Sequence, residues 1–191
     1  TSIINAEISR NHTELMLKFL KYPIKIERKK KFDQILINGL HQFKAFDYDV
    51  PGDISSASFF IVLTLLSNQS QIIIKNVNIN KSRIGIVSIL NKMGAGIQLK
   101  KRRTYNGEEI ANIYVKSKRN LTAINCPSKL NSSAIDEFLI IFLVAAKAKG
   151  ISKFKNLGEM NKKESKRLDI AIKFLKLIGI KVERFQNDIN I

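Results

Sequence analysis

The sequence predicts an α/β protein assembled from a repeated helix–strand–helix–strand unit. Two segments carry that prediction: Ile72–Leu99 reads IIIKNVNINKSRIGIVSILNKMGAGIQL, and Ser152–Glu183 reads SKFKNLGEMNKKESKRLDIAIKFLKLIGIKVE. Each passes from a short strand ending Lys-Asn-Val/Leu through a polar turn into an amphipathic helix, a glycine and another strand. Ahead of each copy stands a further, mostly apolar helix, Ile54–Leu66 and then Ser132–Ala146.

Taken in order, the chain opens on a partial echo of this unit. Helix Thr13–Leu20 leads to strand Ile24–Arg28, with Tyr22-Pro23 where the later copies have glycine. Pro51-Gly52 then marks a turn, and Asp53 can accept a hydrogen bond from the free N–H groups of a helix starting at Ile54. Residues Ile54–Leu66 are so uniformly apolar that both faces of that helix should be covered. In the first full copy Ile86, Ile89, Leu90 and Met93 fall at helical spacing; in the second Leu168, Ala171, Leu175 and Ile178 do. Gly94 and Gly179 occupy the place where a helix end favours a left-handed residue. Further strands join the copies, and the unit recurs roughly every 80 residues.

Composition narrows the class. With 191 residues and 45% hydrophobic content the chain can bury a real core and is not generally disordered. Its longest apolar runs, Phe59–Leu66 and Phe138–Ala146, fall short of the ~20 residues a membrane helix needs. The start TSIINAEISRNH lacks the basic and apolar regions of a signal peptide and has no initiator Met, so a chain beginning mid-protein is expected. The single cysteine, Cys126, fits a reducing cytoplasm and reads as a small buried hydrophobe.

A net charge of +17 raises nucleic acid as a partner. Two clusters contribute, Arg28-Lys29-Lys30-Lys31 and Lys100-Lys101-Arg102-Arg103, each following an apolar segment as hairpin turns or strand ends do. Aromatics only flank them (Phe32, Tyr105), so base stacking is poorly served and solvated lysines are the plainer reading. A basic nucleic-acid-binding module stands as the alternative.

Three constellations carry chemistry. Asp136 and Glu137 stand within the otherwise apolar stretch PSKLNSSAIDEFLIIFLVAA, where a charge is costly unless paired or facing a cleft. The bland reading is an acid favoured by a helix N-terminus. In Glu159–Leu168, EMNKKESKRL, Lys163 and Arg167 are four apart and would share a helix face; such a pair is either a solvated turn or a site for a multiply anionic ligand. Glu164 between them could transfer a proton. In Ser9–Glu14, SRNHTE, His12 has no set of ligand-type residues at metal spacing around it, so capping or packing is its expected role, and His41 has no context.

These strings, with VPGDISSASFF at Val50–Phe60, resemble the motifs of the 5-enolpyruvylshikimate-3-phosphate synthase family (3-phosphoshikimate 1-carboxyvinyltransferases), of the second class. Four motifs fall in family order over nearly the whole chain. The resemblance implies an inside-out α/β barrel of such units, three per domain, with helices inside and sheets outside, here incomplete. Residues 1–47 would be the tail of the N-terminal domain, and 48–191 two of the three units of the C-terminal domain, about 50–118 and 119–191. Phe46-Asp47-Tyr48-Asp49 would be the crossing. Helices Ile54–Leu66 and Ser132–Ala146 should then lie side by side, leaving an apolar flank exposed where a third unit is missing.

The implied reaction is transfer of the enolpyruvyl group of phosphoenolpyruvate to the 5-hydroxyl of shikimate 3-phosphate, with release of phosphate, by addition and elimination. On the family pattern Asp136 takes the proton of the attacking hydroxyl, and Lys163 keeps it ionised and orients the substrate. Glu164 exchanges a proton at the phosphoenolpyruvate methylene. Arg10, Asp136 and Lys163 bind shikimate 3-phosphate, and Arg167 holds phosphoenolpyruvate. The chain departs from the pattern at Asn11 (Asp), Lys162 (Val) and Lys166 (Asp or Asn), which puts local geometry around the cations in question. No metal, no organic cofactor, no nucleic acid and no membrane is implied, and the expected state is a cytoplasmic monomer when full length. Family residues from other segments are absent, so this stretch alone should not turn over. The sister UDP-N-acetylglucosamine enolpyruvyl transferases share the fold but differ at the GDISSASFF string and use a cysteine from a loop of the other domain.

Overall fold

Three copies of one pattern, strand–helix–strand–strand, succeed one another in the computed structural model, which describes residues 1–7, 9–39 and 41–191. The first copy is β1 (Ser2–Glu7), α1 (His12–Phe19), β2 (Ile24–Arg28) and β3 (Phe32–Ile37). Helix α2 (Ile54–Leu66) precedes the second, made of β4 (Gln71–Asn78), α3 (Gly85–Lys92), β5 (Gln98–Tyr105) and β6 (Glu108–Lys116). Helices α4 (Asn131–Ala134) and α5 (Phe138–Lys147) precede the third, with β7 (Lys153–Phe154), α6 (Arg167–Leu177), β8 (Glu183–Phe185) and β9 (Asp188–Asn190).

Each copy forms its own antiparallel sheet with the last strand in the middle: β1-β3-β2, β4-β6-β5 and β7-β9-β8. The opening segment is therefore a whole unit rather than an echo. Its helix end also differs from expectation. The left-handed place filled by Gly94 (φ 88°) and Gly179 (φ 81°) is taken by Lys21 (φ 57°), one residue before Tyr22-Pro23. The bonding is the same in all three: Tyr22 N donates to Leu17 O, Ala95 N to Leu90 O and Ile180 N to Leu175 O.

Helices α2 and α5 lie side by side, and α3 and α6 pack against α5. Asp53 caps α2 as its position suggests, accepting from Ser56 N at 2.8 Å. Ile61, Leu65, Ile86, Leu90, Phe138 and Phe142 are fully buried at this junction, each contributing about 1.5–3 kcal/mol of transfer free energy. The apolar stripes of α3 and α6 are buried as the spacing requires, except that Ile178, at the end of α6, is exposed. Cys126 is buried, and burial pushes its thiol up to about 11.

Three expectations are corrected. The outer face of α2 is not covered, against what its uniform apolarity suggested but in line with the apolar flank the family resemblance implied: Phe59 is 65% exposed, and Phe60 and Leu63 similarly, with Leu139, Ile170 and Phe174 exposed too. A uniformly apolar helix says that it prefers burial, not that a neighbour is present to supply it. The single helix Ser132–Ala146 is broken, residues 135–137 forming a turn between α4 and α5. The basic run Lys100–Arg103 lies within edge strand β5, at an irregularity between Lys100 and Arg103, while the hairpin turn is Asn106-Gly107, both at positive φ. Arg28–Lys31 does lie at the β2–β3 hairpin turn, where Arg28 grips Asp33 through two bonds of 2.9 Å.

Candidate active site

The site is built from two strand-to-helix connections and the 135–137 turn. Arg10 leaves the end of β1, Lys163 closes the short 3-10 turn before α6, and Arg167 is the first residue of α6. All three reach Asp136. Arg10 Nη2 donates to Asp136 Oδ2, Arg167 Nη1 donates to Oδ1 at 2.9 Å, and Lys163 Nζ stands 3.7 Å from Oδ1. The contact between Arg10 and Asp136 spans 126 residues of sequence. Desolvation works to raise the Asp136 carboxyl, but hydrogen bonding and charge from Arg10, Lys163 and Arg167 outweigh it and hold the group below the ordinary carboxylate value.

The route by which these cations converge differs from the sequence expectation. Lys163 and Arg167 do not share a helix face, because Lys163 has extended backbone (ψ −173°) and α6 begins only at Arg167. Helix α6 is capped from a distance: Asn161 Oδ1 accepts from Leu168 N at 2.9 Å. This leaves Lys166 and Lys162 exposed, with Lys162 paired to Glu159 at 2.9 Å. Glu164 is bound to Arg167 Nη2 at 3.0 Å but its side chain is 84% exposed. Its own backbone N–H, then the charge of Arg167, hold its carboxyl below the ordinary value.

Arg10 and Lys163 also line a cleft of about 1180 Å³ whose walls include Ser9, Asn11, Lys81 and Lys129. The cations around Asp136 and Glu164 outnumber the carboxylates, so this edge of the cleft suits an anionic ligand. Nothing among the described residues groups three or more metal-ligating side chains.

Asn80, Glu108 and Arg83 carried no individual signal in the sequence, whereas His12 takes the packing role expected of it. Asn11, Asn80, His12 and Glu108 tie the start of α1 to β6: Asn80 Nδ2 donates to Asn11 Oδ1 at 2.9 Å and to Glu108 Oε2 at 3.1 Å, and His12 Nδ1 contacts Glu108 Oε1. His12 thus packs the first unit against the second. His41 sits edge-on to Tyr22, 5.4 Å between centroids. Ser55, within the GDISSASFF string, donates to Glu137, and Arg83 in turn donates to Ser55 and Asp53. Only the string marked Ser55; a lone arginine in a polar turn gives no warning of its partner.

A family model described as EPSP synthase (3-phosphoshikimate 1-carboxyvinyltransferase) matches residues 1–191. The 3-phosphoshikimate 1-carboxyvinyltransferase of Legionella pneumophila (strain Lens) is 36% identical over 189 residues, 99% of this chain and 42% of that protein. That of Ruthia magnifica subsp. Calyptogena magnifica is 39% identical over 183 residues, covering 96% and 41%. Among solved structures, EPSP synthase from Acinetobacter baumannii superposes with a TM-score of 0.86 at 33% identity, over 96% of this chain and 40% of that one. The chain therefore spans about two-fifths of the length of the relatives it matches.

Proposed function

Because the chain belongs to the EPSP synthase family, we propose that it supplies one wall of a site that transfers the enolpyruvyl group of phosphoenolpyruvate to the 5-hydroxyl of shikimate 3-phosphate. The observation that carries this reading is the convergence of Arg10, Lys163 and Arg167 on the one carboxylate of Asp136. A carboxylate kept ionised by cations is ready to accept the proton of an attacking hydroxyl. The same cations are positioned to exchange that carboxylate for the phosphate and carboxylate groups of two anionic substrates.

In this reading Arg10 and Lys163 hold shikimate 3-phosphate beside Asp136, and Arg167 holds the anionic end of phosphoenolpyruvate. Asp136 takes the hydroxyl proton as oxygen attacks C2 and Glu164 gives C3 a proton; phosphate then leaves the tetrahedral adduct as C3 returns a proton to Glu164, restoring the double bond. Glu164 is the residue that exchanges the C3 proton, and its exposure in this state is matched to a part of the site still open to water. Residues 1–47 belong to one lobe of the complete protein and 48–191 to the other. The remaining groups, and turnover itself, come from the length that the relatives have beyond this stretch.

The test is kinetic, in a protein carrying this sequence at its relatives' full length. Asp136→Asn should lower kcat by about 10²–10⁴-fold with little change in shikimate 3-phosphate affinity. Arg167→Ala should chiefly raise the phosphoenolpyruvate KM, by about 10-fold or more, as loss of a charge-assisted hydrogen bond requires. Near-normal kcat in Asp136→Asn would sink the proposal, because an amide cannot take that proton.

A further inference from the structure

We infer that Glu137 is the positioning residue for Asp136, acting through Ser55 and Arg83 to fix the turn on which the proposed base sits; this rests on Asp136 being the base of the proposed transfer. Glu137 is only 2% exposed, although it lies in a turn between two helices and immediately follows a residue that faces cations. Its carboxylate accepts from Ser55 Oγ in the first turn of α2. Ser55 Oγ in turn accepts from Arg83 Nη2 at 2.6 Å, and the same nitrogen donates to Asp53 Oδ1 at 3.2 Å. One buried acid therefore ties three elements: the 135–137 turn, the start of α2, and the connection from β4 to α3.

The other side of the turn is braced by the same connection. Gly85, two residues after Arg83, opens α3 directly against α4; a Cβ there would stand 2.7 Å from the Ser133 carbonyl carbon and 2.8 Å from Ala134 N. Such distances leave no room for any side chain. Backbone bonds complete the clamp, Glu137 N donating to Ala134 O at 3.0 Å and Glu137 O accepting from Ile141 N at 3.0 Å. Asp136 is thus presented toward Arg10, Lys163 and Arg167 by a segment held from behind. Burial raises the Glu137 carboxyl, against the pull of Ser55 and Arg83, and its geometric role is to accept the Ser55 hydroxyl.

The experiment is a double-mutant cycle at the relatives' full length. Glu137→Ala should lower kcat by about 10–10²-fold, the scale set by a misplaced catalytic group, while both KM values stay within about 3-fold. Glu137→Gln keeps an acceptor for Ser55 and should stay within about 3-fold of the parent. In an Asp136→Asn background, Glu137→Ala should cost nothing more, because its effect runs through Asp136. Should Glu137→Ala fail to fold, Ser55→Ala removes the same bridge with a smaller change and carries the same expectations. The inference is overturned if Asp136→Asn collapses kcat while Glu137→Ala and Ser55→Ala leave it intact, or if the two losses multiply. A fully active Asp136→Asn would instead remove the transfer reading itself, and this inference with it.

Discussion

The β4–α3 and β7–α6 connections occupy the same address in successive units, and each delivers an arginine toward the paired inner helices. Arg83 from the first is drawn inward, onto Ser55 and Asp53, behind the 135–137 turn. Arg167 from the second stays at the cleft edge, on Asp136 and Glu164. The β1–α1 connection adds Arg10 on the cleft side. A repeated backbone thus supplies a repeated cation, and what differs is the neighbour's carboxyl group: buried Glu137 reached through a hydroxyl, or partly exposed Asp136 met directly. The lesson is that duplicated units can place the same kind of side chain either behind the inner turn or at the cleft edge without changing topology.

The comparison is open to test by removing each arginine. Arg83→Ala should destabilise the fold by about 1–3 kcal/mol in denaturant melts, because it removes the bonds to Ser55 and Asp53 that back buried Glu137. Arg167→Ala, losing a pair near the surface, should stay within about 1 kcal/mol. Equal losses would mean that the two connections do the same work.

Adjacent Asp136 and Glu137 should also show opposite pH behaviour. The folded Asp136 lies below its unfolded value, so its ion cluster stabilises fully above the unfolded value and this contribution is lost as pH falls through the folded one. The folded Glu137 lies above its unfolded value, so stability should fall as pH climbs from the unfolded to the folded value. Stability measured against pH should lose part of its acid limb in Asp136→Asn and part of its decline at higher pH in Glu137→Gln. If both substitutions alter the same limb, the two carboxyl groups do not differ as described.

The smallest expected effect concerns the first unit. Lys21 holds the left-handed position that glycine holds in the other two, so Lys21→Gly should gain up to about 1 kcal/mol. A loss on that substitution would indicate that the lysine side chain contributes more than its backbone strain costs.

Much of this was legible from local pattern. The stripes Ile86–Met93 and Leu168–Leu175, the cap at Asp53 and the glycines at 94 and 179 follow from helical period and dihedral preference, which a short window of sequence contains. Arg10, Asp136, Lys163 and Arg167 could be singled out through family motifs, but not joined by spacing, since Lys163 and Arg167 do not share a helix.

By itself, then, the sequence determined the repeat, the buried stripes of α3 and α6 and the left-handed glycines at 94 and 179, because these depend on neighbours a few positions apart. Tertiary structure alone decided the break at 135–137, the capping of α6 by Asn161 and the opposite surroundings of Asp136 and Glu137. Those outcomes depend on which groups are brought together from far along the chain and on which are dehydrated when they meet, and neither is encoded in any one stretch.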